Sequence, residues 1–227
     1  MNYFKTIVCF ANSRKTAGRC IAGKEWRNAK PGEWLRPVSI RPTHEVSEEE
    51  RRYENGQNPK LLDILRVPCD AHQPLPHQHE NHVIDSGYYW EKQGHLPWSG
   101  IHDWLDKPKN LWGLEQSSYS GLNNRVVVGQ EDGTSLYLVP SERLRLLVGR
   151  KAPEYPDSKR AIRGEFVYRG TTYLMDVTDP VIERKFLARE DGQYDIPSPV
   201  LCISLGDPYQ GNFYKLIASV LFSERFT

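Results

Sequence analysis

Arg14, Lys15, Arg19, Lys24, Arg36 and Arg41 crowd the first 41 residues together with Trp26 and Trp34. Up to Glu45 there are nine Lys/Arg against three Glu and no Asp, in a chain whose formal net charge is only +1, so the positive charge is local. Cations neutralise phosphates and flat aromatic faces stack on bases, each stacked base contributing roughly 1–3 kcal/mol with little demand on sequence. The pattern points to nucleic acid, single-stranded DNA or RNA. Arg14, Lys15, Arg19, Lys24, Arg36 and Arg41 are the candidate phosphate contacts. Trp34, and Tyr209 in the polar turn 206–212, are the candidate stacking platforms. Trp34 and Arg36 lie two apart, hence on one face of a strand. The same composition also describes an ordinary sheet, with Trp26 and Trp34 in the core and the cations in water. Arg14 and Lys15, expected in or beside a loop, are the residues that burial explains least.

Other constellations carry less. A second basic stretch, Arg143, Arg145, Arg150, Lys151, Lys159, Arg160 and Arg163, faces only Glu142, Glu154 and Asp157 nearby in sequence. It either extends a groove or pairs with the Asp and Glu of residues 176 to 195; the second reading is preferred, because exposed charges individually do little. Cys69, His72, His77, His79 and His82 fall within fourteen residues, and Cys-x-x-His suits zinc. Pro74 and Pro76 interrupt the segment, however, and no second Cys pair follows, so no metal and no cofactor is expected. Asp176, Asp179 and Glu183 could form a carboxylate set for a magnesium-dependent nuclease. Asp179 precedes Pro180, though, which reads as a turn with the Asp capping local amides. There is no GxSxG, Walker loop or GxGxxG, and Cys9 sits in an apolar run. No catalytic residue is assigned, and the protein is expected not to be an enzyme.

The elements that must position these residues are mostly strands. Tyr3–Ala11, Arg19–Trp26 and Trp34–Ile40 have strand composition, the last two separated by Pro31-Gly32. Ser47 to Tyr53 is a short helix with Ser47 and Glu50 in capping-box positions. Leu61–Val67 is a strand ending at Pro68. Residues 69–123, rich in His, Trp, Gly and Pro, read as an irregular connection with a short helix near Gly100–Leu105. Beyond them, Arg125–Gly129 and Ser135–Val139 flank Glu131-Asp132-Gly133 as a hairpin, and Glu165–Tyr168 and Thr171–Val177 flank Arg169-Gly170 as another. Val200–Leu205 is an apolar strand, and Phe213–Phe222 is a strand or a closing helix. Many short strands broken by turns favour small barrels over a doubly wound sheet.

At 227 residues the chain has room for one large or two small domains. The division expected is an N-terminal lobe over 1–120, including the connecting segment 69–123, and a C-terminal lobe over 121–227. No apolar run approaches the roughly 20 residues that cross a bilayer, and no signal peptide is visible. The four scattered cysteines suit reduced thiols in the cytoplasm.

Several marks in order along the chain resemble a known family. They are Ser13-Arg14-Lys15, Gly18-Arg19-Cys20, Ala22-Gly23, Gly32-Glu33-Trp34-Leu35-Arg36-Pro37-Val38-Ser39, Leu61-Leu62-Asp63-Ile64, Glu80-Asn81, Ile84-Asp85, Val177-Thr178-Asp179-Pro180, Ser204-Leu205-Gly206-Asp207-Pro208 and Tyr214-Lys215-Leu216. Together they resemble the dual OB-containing domain of bacterial proteins. The resemblance implies a mainly β chain with short helices, folded as two OB-like β-barrels in one compact chain. It also implies a role in bacterial defence or conflict systems, as a sensor of nucleic acid. Three functions from different classes stay open: nucleic-acid binding, an adaptor subunit packed on a larger effector protein with exposed tryptophans as anchors, and an enzyme acting on a small nucleotide.

Overall fold

The structure is a computed structural model that describes residues 3–114, 116–151 and 158–226. Two of the acidic residues set against the second basic stretch, Glu154 and Asp157, lie outside the described residues. The chain divides into two units: Met1–Leu105 with Gly133–Ser135, and Asp106–Asp132 with Leu136–Thr227.

The first unit contains β1 (Tyr3–Lys15), β2 (Gly18–Arg27), β3 (Lys30–Val38), α1 (Glu48–Arg51), β4 (Asp63–His72), β5 (Asn81–Ile84) and β6 (Glu91–His95). Its sheet runs β1-β2-β3-β5-β4, and β4 pairs back onto β1, Tyr3–Val8 opposite Cys69–Ile64. The circuit is therefore a closed five-stranded barrel, which leaves no open edge within it. Among the described strands of this unit, β3 and β5 are the pair that runs parallel. β6 adds outside the circuit on β4. Ile7, Ile21, Leu35 and Leu65 are buried essentially completely, and so is Phe10, which packs against Trp34 and Trp104; each such side chain contributes roughly 1.5–3 kcal/mol. The meander needs β1 and β2 to approach closely at Gly23, where a Cβ would lie 2.1 Å from the Val8 carbonyl oxygen.

The second unit contains β7 (Arg125–Val127), β8 (Leu136–Pro140), β9 (Arg143–Arg150), β10 (Arg160–Tyr168), β11 (Thr171–Val177), α2 (Pro180–Leu187), β12 (Gly192–Pro197), β13 (Val200–Leu205) and β14 (Asn212–Leu221). β12 pairs with β9 and β13 pairs with β14. Only Ser198 and Pro199 separate them, Ser198 at φ 44°, so the two act as one strand bent at its middle. The circuit is β9-β10-β11-β14-β13/β12 and back to β9, again with a single parallel pairing, β11 with β14. A three-stranded meander, a helix, a strand that bridges first and last, and a final strand parallel to the third is the arrangement of both units. It matches the five-stranded Greek-key barrel of the OB fold.

Five expectations are corrected. β3 begins at Lys30 and includes Pro31 and Gly32; the β2–β3 turn is Asn28–Ala29, both at positive φ (52° and 63°), as a two-residue hairpin turn requires. β4 continues through Pro68, whose partner is Phe4, because a proline lacks only the donor and the pairing tolerates one such gap. Residues 69–123 are not an unbroken irregular stretch: they hold the end of β4, β5, β6 and a 3-10 helix over Trp98–Trp104. Finally, β7 and β8 do not form a hairpin around 131–133; β7 pairs with β14 and β8 with β13. The division between units falls after Leu105, with the return at Gly133–Ser135, rather than after residue 120.

Candidate nucleic-acid interface

The β1–β2 hairpin closes through Thr16 and Ala17. Arg14 stands directly opposite Arg19 in its register, and Lys15 opposite Gly18. Arg14 is exposed, Lys15 and Arg19 half-buried. The segment between β3 and β4 is drawn against this end of the hairpin by two backbone hydrogen bonds, from the Arg19 amide to the Val46 carbonyl and from the Val46 amide to the Arg19 carbonyl, both 2.9 Å. A Cβ on residue 18 would come within 2.6 Å of the Val46 oxygen, so the approach requires Gly18.

From the docked segment, Arg41, Arg51, Glu45 and Glu50 bear on this end of the hairpin. Arg41 is exposed, its Nε 3.5 Å from Glu50 Oε2. The Thr43 hydroxyl donates to Glu45, and that bond, aided by Arg41 and Lys15 nearby, holds the Glu45 carboxyl below its usual range against some opposition from burial. Burial works against the Glu50 charge, but the Ser47 amide, the Ser39 and Ser47 hydroxyls and Arg41 outweigh it and also lower its pKa. Arg51 is buried, donates to the Val46 carbonyl at 3.3 Å, and is shifted down by burial and by the charge of Arg19. Thus Arg14, Lys15, Arg19 and Arg41 gather at one end of the first barrel, with Arg51 beneath and Glu45 and Glu50 moderating the field.

Two of the expected phosphate contacts are not there. Lys24 is 5% exposed, and its ammonium donates to the Trp104 carbonyl at 2.7 Å, terminating the 3-10 helix. Arg36 is 4% exposed. Its Nε lies 3.1 Å from Glu80 Oε1, its Nη2 donates to the Ser135 hydroxyl at 2.7 Å, and its Nη1 meets the Cys20 sulfur. Burial disfavours the guanidinium charge, yet Cys20 and Glu80 beside it raise its pKa above the ordinary value. Both residues hold the barrel together and cannot reach a strand of nucleotides. Trp34 is half-buried, packed edge-on to Phe10 at 6.2 Å with the Lys24 ammonium over its ring. Trp26 stacks on the buried Trp104 at 5.6 Å. None of the six tryptophans is exposed, so they do not serve as surface anchors. Tyr209 is 62% exposed, in the turn before β14 of the second unit.

A family model described as the dual OB-containing domain matches residues 5–220. The chain belongs to that family. No curated protein and no solved structure matches it.

The other candidate groups of this dual OB chain have structural roles. Arg143 and Arg145 reach Asp195, Arg145 also Glu165, Arg160 reaches Asp191, and Lys151 pairs with Asp176. The second basic stretch is thus largely answered from 165–195, mostly by the acids anticipated there. Asp179 caps α2 by accepting from the Val181 and Ile182 amides and also receives the Val220 amide and the Arg225 guanidinium, which leaves no free face for a metal. Cys69 is buried in β4, its thiol on the Val67 carbonyl and burial pushing its pKa up to about 12. His72 and His82 are register partners across β4 and β5 with rings 4.7 Å apart. Among the described residues no group of three or more His, Cys, Asp or Glu stands close enough to hold an ion. No helix among them is long and apolar enough to cross a membrane. Arg51 was not legible from spacing; only the Val46–Arg19 bridge carries it to the hairpin.

Proposed function

We propose that this chain binds single-stranded nucleic acid, DNA or RNA, without catalysis, through Arg14, Lys15, Arg19 and Arg41 at the hairpin end of its first barrel. The observation that carries the reading is the placement of Arg14 opposite Arg19. Like charges directly opposed across a strand pair destabilise it, and a phosphate set between them turns that repulsion into two charge-assisted contacts. OB barrels engage oligonucleotides on one face and the loops that border it, and this hairpin end is such a border. Tyr209 is an exposed ring in the second unit suited to stacking. The setting we infer, a bacterial defence or conflict system, rests on the family; the four free cysteines suit a reducing cytoplasm.

A gel-shift series with single-stranded DNA, RNA and duplex at two salt concentrations tests it. Binding that weakens steeply with salt supports the reading, because neutralised phosphates release counterions; absent or salt-independent binding refutes it. The second reading, an adaptor docking on a larger effector protein, draws support from Ile40, 83% exposed, with Tyr88 and Tyr89 at 60% and 47% in the same unit. A stable copurifying partner combined with no gel shift would select it.

A further inference from the structure

The segment following Asp106 is built into the second unit. The Asp106 amide donates to the Leu138 carbonyl at 2.7 Å, and the Leu138 amide returns a bond to the Asp106 carboxylate at 2.8 Å. Further along, two consecutive residues take left-handed backbone, Trp112 at φ 54° and Gly113 at φ 81°. A bulky residue there is strained, and such strain persists only where the surroundings enforce it. Three groups do so: the Asn110 side-chain oxygen accepts from the Gly113 amide at 2.7 Å, the Tyr173 hydroxyl accepts from the Leu111 amide at 3.3 Å, and the Lys215 ammonium donates to the Gly113 carbonyl at 3.2 Å. Lys215 is itself 1% exposed, with the Tyr173 ring 5.6 Å away. Burying a lysine on a carbonyl and a ring is expensive, and here it fixes the turn that carries Trp112.

That turn walls a cavity of about 410 Å³, within the size range of small-ligand sites. The Trp112 and Tyr137 rings meet there at 4.4 Å and 34°. Around them the lining supplies the cation Lys109, the carboxylate Asp132, and the amides Gln116 and Gln130. Lys109 is exposed and has no ion-pair partner among the described residues. Aromatic faces, amides, one carboxylate and one cation are the complement of a base, a ribose diol and a phosphate; a neutral sugar has no use for the cation.

We propose that this cavity is a binding site for a single free nucleotide, with the base against Trp112 and Tyr137, the amides at the base edge, Asp132 on the ribose hydroxyls and Lys109 on the phosphate. Its lining residues all belong to the second unit, and it does not depend on the function proposed for the hairpin of the first.

Isothermal titration of the full chain with AMP, adenosine and maltose tests it, alongside the variants Lys109→Glu and Asp132→Asn, both at exposed positions. AMP is expected to bind about tenfold more tightly than adenosine, as one charge-assisted contact allows. Lys109→Glu should bring AMP down to the adenosine level, and Asp132→Asn should weaken both. The oligonucleotide gel shift should be the same for Lys109→Glu as for the parent chain, so the two surfaces fail or succeed separately. No AMP binding at millimolar concentration, equal affinity for AMP and adenosine, maltose binding as tightly as AMP, or an unchanged AMP affinity in Lys109→Glu would each overturn the assignment.

Discussion

Arg36 and Glu80 form an ion pair inside the first unit, with Nε 3.1 Å from Oε1 and both side chains at least nine-tenths buried. The Arg36 amide also donates to the Glu80 carbonyl at 2.8 Å, so the pair fastens β3 to the start of β5. Removing one partner leaves a buried charge unanswered, which costs about 3–5 kcal/mol. Arg36→Ala should lower the urea midpoint by a corresponding amount. Replacing both partners with apolar residues of similar volume should cost much less. A fully stable Arg36→Ala protein would show that the pair does not hold the barrel.

Charge reversal at the hairpin should behave oppositely. Arg14→Glu with Lys15→Glu is expected to leave thermal unfolding nearly unchanged, since Arg14 is exposed and Lys15 half-buried. Oligonucleotide affinity should fall. Each phosphate that the variant no longer neutralises should reduce the log–log salt slope by about 0.7 for a single strand. An unchanged slope would remove these residues from the interface.

His82 sits between β3 and β4, its Nδ1 2.6 Å from the Tyr3 hydroxyl. Burial, the His72 charge and Lys5 together push its pKa down to about 4, from an ordinary 6.5. Between those values the unfolded chain holds a proton that the folded chain rejects, so this contribution to stability is complete above pH 6.5 and is lost as pH falls towards 4. His82→Gln should flatten the unfolding midpoint between pH 6.5 and 4 relative to the parent; the same steepness in both would show that another group governs the range.

Lys215 gives the corresponding effect at high pH. Burial lowers its pKa to about 8 from 10.5. The unfolded chain keeps its proton between those values while the folded chain releases it, so stability should rise with pH from about 8 to 10.5, by on the order of 3 kcal/mol. In Lys215→Met that rise should be absent. Urea midpoints at pH 7.5 and 9.5 for both proteins decide the matter.

Local chemistry was legible in the sequence where partners lie close together. Ser47 and Glu50 form the capping box their spacing predicts. Arg169 and Gly170 make the β10–β11 turn with φ of 48° and 78°, and β13 occupies Val200–Leu205 as composition suggests. The ambiguous run after Phe213 is a strand because β11, β13 and β7 all pair with it. What the sequence hid depends on distant partners. Glu131-Asp132-Gly133 has hairpin chemistry, yet β7 and β8 pair elsewhere. Arg36 looks like a surface cation until Glu80, forty-four positions away, turns it inward. Lys24 likewise answers a carbonyl eighty residues on. A basic, aromatic stretch cannot be sorted into groove and scaffold without knowing which carboxylates and carbonyls the barrel delivers to it.

Ser135 belongs to the first barrel although the chain has already contributed Asp106–Asp132 to the second. Its hydroxyl completes the coordination of the Arg36 guanidinium and the Glu80 carboxylate. A gene severed anywhere between codons 106 and 132 therefore yields an upstream product missing part of its own interior. The leading barrel is not a portable cassette, and recombination can hand it on intact only along with the stretch that follows.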